Sequence, residues 1–93
     1  MSQVVVRHKV GDFDTWLAGH EDRVRIFSDA VSGFQTFQDA ADPHTVILVL
    51  DVTDMDKLQA IMTDPDVQEV KDRHTVIDPI VLSLPVQVEQ MAH

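Results

Sequence analysis

The chain has 93 residues, 44% of them apolar, and its sixteen acidic residues against seven basic ones give a formal charge of −9. This length predicts one domain over residues 1–93, and the negative field argues against nucleic acid or an anionic membrane as a partner. The absence of cysteine excludes disulfides and thiol catalysis. No signal peptide or membrane-spanning apolar run is apparent, so a cytoplasmic protein is expected.

The first predicted element is a strand from Gln3 to Val10, where β-branched residues predominate. Apolar residues occupy both of its faces at the start, which predicts a strand covered on both sides. His8 lies on one face and Arg7 on the other. One of these two side chains should therefore reach the space between the sheet and the helices.

A long helix is predicted next, from Phe13 to Val31, with Asp12 as its N-cap. Ser32-Gly33 would end it, with Gly33 in the left-handed conformation. Apolar side chains and one histidine recur at helical spacing and predict the inward face. These residues are Phe13, Trp16, Leu17, His20, Val24, Phe27 and Val31.

Two strands follow in the middle of the chain. Phe34 to Asp39 alternates between its two faces, and His44 to Asp51 is the most hydrophobic run of the sequence. The segment from Ala40 to His44 contains an Asp-Pro turn, so an antiparallel hairpin is the simplest pairing.

A second helical region and a last strand complete the chain. Thr53 or Asp54 should cap a helix that Asp64-Pro65 breaks, and a short further helix should follow. Their inward-facing residues are predicted to be Leu58, Ile61, Met62, Val67, Val70 and His74. Pro79 would open a strand over Ile80–Val88, and residues Glu89 to His93 would form a tail.

The resulting order is β-α-β-β-α-β, which predicts an α+β, ferredoxin-like fold with a four-stranded antiparallel sheet and helices on one face. In the third and fourth strands, apolar residues occupy both faces of the sheet. Because the helices cover only one face, the other apolar face would be exposed to water in a monomer. We therefore expect a homodimer through this open sheet face. Substituting Val49 or Leu48, whichever faces the partner, with aspartate should weaken the homodimer.

The stretches VVVRHKVGDFDTW (4–16) and DMDKLQAIMTDPDVQEV (54–70), with the DP turn between them, resemble the dimeric α+β barrel superfamily. The likeness is strongest to the small antibiotic-biosynthesis-monooxygenase-like proteins, some of which carry the label "cyclase". This resemblance implies a dimeric barrel and leaves the chemistry open, because relatives include cofactor-free oxygenases, haem-degrading enzymes and proteins without known activity. Haem degraders use a strand-one asparagine and a tryptophan in the second helical region, which this chain lacks there.

Several side chains are candidates for a pocket between helices and sheet. The predicted catalytic residues are His20, His8 and Arg7, and the predicted substrate-binding residues are Trp16, Phe27 and His74. Each has a structural alternative: His20 as a buried hydrogen-bonded residue, Arg7 as an interface ion pair, and Trp16 and Phe27 as plain core. The histidines lack an HxH or HExxH spacing, so no metal is expected. No phosphate loop or dinucleotide fingerprint is present, and no other cofactor is expected.

Two main functions are compatible with these residues. The first is a small enzyme, a cofactor-independent monooxygenase or cyclase-like protein, with His20 as acid/base on an apolar or aromatic molecule. The second is a non-catalytic ligand-binding or stress-related dimeric module. A third, purely structural dimerisation domain would have no cavity.

Overall fold

A computed structural model describes residues 2–86 of the chain. Its elements are β1 (Ser2–Val10), α1 (Phe13–Ala18), α2 (His20–Phe27), β2 (Val31–Gln38), β3 (Thr45–Val52), α3 (Met55–Met62), α4 (Pro65–Arg73) and β4 (Val76–Ser83). The four strands form one antiparallel sheet in the order β2-β3-β1-β4. This is the ferredoxin-like α+β fold, with each helical region divided in two, and it confirms the predicted fold class.

Strand β1 lies inside the sheet, between β3 and β4. Its Val4, Val6, His8 and Val10 side chains are buried in the core, while Arg7 points to the opposite face. Strand β3 is buried in the same alternating way at Val46, Leu48, Leu50 and Val52. The core therefore lies between this sheet face and the helices. Of the two strand-one candidates, His8 is the one that reaches it.

The first helical region is shorter than predicted. It ends at Phe27, and β2 already begins at Val31. The cause is the neighbouring strand: the Thr53 and Asp54 N–H groups donate to the Ala30 carbonyl at 2.8 and 3.2 Å, which draws this segment into the sheet. Gly33 consequently lies in β2 without a positive φ, so its predicted role as a left-handed helix end is wrong.

The second helical region follows the prediction closely. Asp54 caps α3 by accepting a hydrogen bond from the Lys57 N–H, and Asp64 caps α4, whose first turn contains Pro65. The predicted opening of the last strand at Pro79 is wrong, because β4 already starts at Val76. Pro79 is tolerated within it because β4 is an edge strand with a register shift opposite β1. The predicted end of that strand at Val88 and the tail from Glu89 lie outside the described residues.

The open sheet face carries apolar side chains. Val5, Ile47 and Val49 are half-buried on it, and Phe37 and Val81 are 48% and 49% exposed. Val49 pairs with Val5 and Gln35 on this face, whereas Leu48 is in the core. Val49 is therefore the residue that would face a partner. Within residues 2–86, no helix is long and apolar enough to cross a membrane.

Candidate functional site

A small cavity of about 50 Å³ lies between the core face of the sheet and the helices. Its walls are mostly apolar and include Val6, Trp16, Phe27 and Leu48. Four polar or charged side chains also line it, and these are His8, Arg23, Lys71 and His74. Four of the six residues predicted for a site (His8, Trp16, Phe27 and His74) therefore meet at one place.

The inward face of α1 and α2 brings an arginine to this cavity. The buried residues of the segment are Trp16, Gly19, Arg23, Phe27 and Ala30, spaced 3, 4, 4 and 3 apart. This is the spacing of one helix face. Arg23 is therefore held inward by its neighbours on the helix, although an arginine is rarely buried without a partner.

Arg23 is the most unusual group in the cavity wall. It is only 6% exposed, and its Nε, Nη1 and Nη2 atoms have no hydrogen-bond acceptor among the described residues. Its guanidinium carbon lies 4.0 Å from the centre of the Trp16 ring, a cation–π contact that contributes about 2 kcal/mol when desolvated. Burial lowers the pKa of Arg23 to about 10, with Asp22 opposing the shift, so the side chain stays charged at neutral pH.

His8 is positioned as a neutral imidazole. Its Nδ1 lies 3.1 Å from the Lys9 carbonyl oxygen, which can only accept, so the proton is on Nδ1 and Nε2 keeps a lone pair. Burial lowers the pKa of His8, and the positive charges of Arg23 and Lys71 lower it further. A neutral histidine in an apolar cavity can accept a proton from a bound molecule.

The lowered pKa of His8 predicts a pH dependence of stability. The unfolded chain binds a proton at His8 below about pH 6.5 and the folded chain only at a lower pH, so protonation favours unfolding. We expect the free energy of unfolding to fall as pH drops below 6.5, by up to about 1.4 kcal/mol per pH unit, until the folded pKa is reached. Urea titrations from pH 8 to 5 would measure it.

The matched variant for this test is His8→Gln, which should lose that slope. Asp12 and Asp42 do not interfere, because hydrogen bonds from Thr15 and Thr45 lower their pKa values below 3.8 and place their effect at more acidic pH. An unchanged slope in His8→Gln would contradict the assignment.

His74 reaches the cavity from the C-terminal end of α4. Its Nε2 lies 3.3 Å from the Asp22 carboxylate, which also accepts from Arg25. The imidazole packs directly over Gly19, where an added Cβ would come within 2.4 Å of the ring. Gly19 and Asp22 together therefore fix the position of His74.

Two predicted catalytic residues lie elsewhere. His20 is one residue past Gly19, about 100° around the helix from the inward face, and it lines an open depression with its ring 5.5 Å from Phe34. The expectation that it shares a cavity with Trp16 and Phe27 is wrong. Arg7 is on the open sheet face, 55% exposed and 3.7 Å from Asp39. The structural alternative for Arg7 was an interface ion pair with an aspartate, and its observed partner is Asp39.

The histidines do not converge. His8 and His74 line the cavity and His20 does not, and within residues 2–86 no group of three or more His, Asp or Glu side chains could hold a metal ion. The cavity chemistry available from the described residues is thus the neutral His8 imidazole beside the buried Arg23 guanidinium, with Lys71 and His74 also in the wall.

No protein-family model and no curated protein matches the sequence. Solved structures do match. A candidate antibiotic biosynthesis monooxygenase from Bordetella bronchiseptica is 19% identical, with a TM-score of 0.73 over 95% of this chain and 97% of that one. SnoaB, a cofactor-independent oxygenase from Streptomyces nogalater, is 10% identical, with a TM-score of 0.70 over 99% and 97%. An antibiotic biosynthesis monooxygenase is 14% identical, with a TM-score of 0.69 over 96% and 100%.

These likenesses show that the chain has the fold of the antibiotic biosynthesis monooxygenase-like proteins. The resemblance noted in the sequence is confirmed at the level of fold. Because the sequences are only 10–19% identical, the catalytic residues of those proteins cannot be assigned to positions in this chain.

Proposed function

We propose that this chain is a single-domain, cytoplasmic homodimer that acts as a cofactor-independent oxygenase on a small phenol. The observation that carries the proposal is the neutral His8 imidazole beside the buried Arg23 cation in an apolar cavity. The fold supports it, because a structural neighbour is a cofactor-independent oxygenase.

Each group has a role in the proposed reaction. His8 takes the phenolic proton through Nε2, and the Arg23 guanidinium stabilises the phenolate in a site of low dielectric. Dissolved O₂ is the oxidant: one oxygen atom enters the ring para to the phenol and becomes a carbonyl, and the other leaves as water. A phenol plus O₂ thus gives a p-quinone plus water.

The cavity must enlarge to admit an aromatic ring. Its 50 Å³ is well below the roughly 300–1,000 Å³ of typical ligand pockets. We propose that α4 is the wall that moves, because none of the residues Pro65–Arg73 is fully buried and only its C-terminal end is held, by the contacts of His74. An outward shift of α4 would widen the cavity while leaving the Trp16–Arg23 contact in place.

The test is oxygen uptake and quinone absorbance with a series from phenol to 1-naphthol. Wild type should turn over at least one of them, and His8→Gln should lose about 10²–10⁴-fold in rate, the usual contribution of a general base. His20→Gln is the matched control, since His20 lies outside the cavity, and it should retain the wild-type rate. Equal losses in both variants, or loss only in His20→Gln, would contradict the role of His8.

A non-catalytic binding module is the second candidate, and the unpaired Arg23 donors in apolar walls favour it, because they can hold a ligand without any reactive group. Under this alternative the same walls would hold a ligand without oxidising it. Saturable binding of a phenol without oxygen uptake would support the binding module over the enzyme.

The homodimer is proposed through the open sheet face. Its support is the half-exposed apolar side chains on that face, Phe37, Ile77 and Val81 among them, together with a core that is small for a stable monomer. The partner would cover the face as a second sheet and close a barrel.

A further inference from the structure

Within residues 2–86, the Arg23 guanidinium lacks a counter-ion. All three of its nitrogens are buried without an acceptor among residues 2–86, and the side chain lies over Trp16 at the cavity. The nearest acidic neighbour along the chain, Asp22, is instead engaged by His74 and Arg25. A charged group removed from water in this way is costly unless something accepts its hydrogen bonds.

The geometry of the unpaired donors indicates what the missing acceptor is. A guanidinium presents its N–H groups as a planar fork, which a carboxylate satisfies with two parallel hydrogen bonds. A phenolate has a single oxygen and would leave part of the fork unpaired. A phosphate dianion fits poorly into apolar walls on a chain of net charge −9.

We propose that the cavity binds a small organic monocarboxylate, with its carboxylate on Arg23 and its apolar part against Val6, Phe27 and Leu48. This inference rests on the same cavity as the proposed function and narrows the preferred substrates to phenols that carry a carboxylate, which takes two Arg23 N–H groups and leaves the others for the phenolate oxygen. With about 50 Å³ available, the carboxylate and a short apolar group fill the cavity, and larger acids require α4 to shift.

Binding can be measured without turnover, because Trp16 is the only tryptophan and Arg23 lies against its ring. The probes are propionate and benzoate, each compared with its neutral amide, propionamide or benzamide, by Trp16 emission at constant ionic strength. The carboxylates should bind at least about tenfold more tightly than the amides, the ratio expected of one charge-assisted hydrogen-bonded pair. Equal affinities, or no saturable change with either carboxylate, would overturn the inference.

Arg23→Met should abolish the preference for carboxylate over amide. Arg25→Met makes the same charge change on the same helix with a side chain that is 71% exposed, so it should keep the preference. Thermal unfolding of ligand-free Arg23→Met gives a second measurement: its midpoint should equal or exceed that of wild type, because removing an unpaired buried charge outweighs the loss of the cation–π contact with Trp16. A marked fall would show that the guanidinium is already satisfied within the protein and would overturn the proposal.

This experiment also separates the inference from the proposed oxygenase. A carboxylate preference that depends on Arg23, without oxygen uptake on any phenol, would uphold the inference and refute the enzyme. Oxygen uptake on a phenol, together with equal affinity for carboxylates and amides, would support the enzyme and refute the carboxylate inference.

Discussion

Gly19→Ala should destabilise the protein by about 2–3 kcal/mol, since overpacking a filled site costs about this much. The added methyl group would lie 2.4–2.7 Å from three ring atoms of His74, distances that require the imidazole to move. Moving it also breaks the contact between His74 and Asp22. For a chain of this size the thermal midpoint should fall by about 10–15 °C, as measured by calorimetry or circular dichroism.

Gly33→Ala is the matched control for this prediction. A Cβ at Gly33 meets nothing within 4 Å, and neither glycine has a positive φ, so backbone strain does not enter the comparison. Its effect should stay within about 0.5 kcal/mol, as for an ordinary surface change. The difference between the two variants then isolates the contact with His74.

The double variant Gly19→Ala/His74→Ala tests the contact itself. Removing the imidazole makes room for the methyl group, so the two changes should be strongly non-additive. If Gly19→Ala alone is as mild as Gly33→Ala, or if the two changes simply add, the packing of His74 against Gly19 is not as described.

The first helical region shows where sequence reasoning succeeds and where it stops. Asp12 was predictable as a cap, and its carboxylate does accept from the Asp14 and Thr15 N–H groups. The inward face was predictable only in part: Trp16 and Phe27 are buried as expected. Hydropathy also selects Leu17 and Val24, which are 44% and 42% exposed. The buried inward positions also include Gly19 and Arg23. Gly19 is buried because His74 packs directly over it, and Arg23 is buried because its guanidinium lies over the Trp16 ring.

The candidate site could also be predicted only in part, because contacts between distant segments decide which side chains reach the cavity. His8 and Arg7 alternate on one strand, and the sequence indicated that one would face the core without deciding which. Arg23 was missed because a charge on a helix is normally solvated. The one available signal was its place in the series Trp16, Arg23, Phe27, Ala30, which keeps helical spacing through a charged residue.

The second large expected effect is that of a charge placed at Val49, in the proposed homodimer interface. In one chain alone, Val49 is half-buried between Val5 and Gln35 on the open sheet face, and a second sheet packed on this face would bury it fully. Sheets that pack face to face lie about 10 Å apart, which leaves no water layer to solvate a charge. A carboxylate there would be both buried and unpaired.

Val49→Asp should therefore cost about 3–5 kcal/mol of dimer stability and raise the dissociation constant at least a hundredfold. The matched control is Val24→Asp, the same substitution at an exposed position of α2, which should leave the dimer intact. Sedimentation velocity at micromolar concentration would show wild type and Val24→Asp as dimers and Val49→Asp as a monomer. A wild-type chain that sediments as a stable, folded monomer would end the dimer proposal, and a Val49→Asp dimer of unchanged affinity would move the interface away from this face.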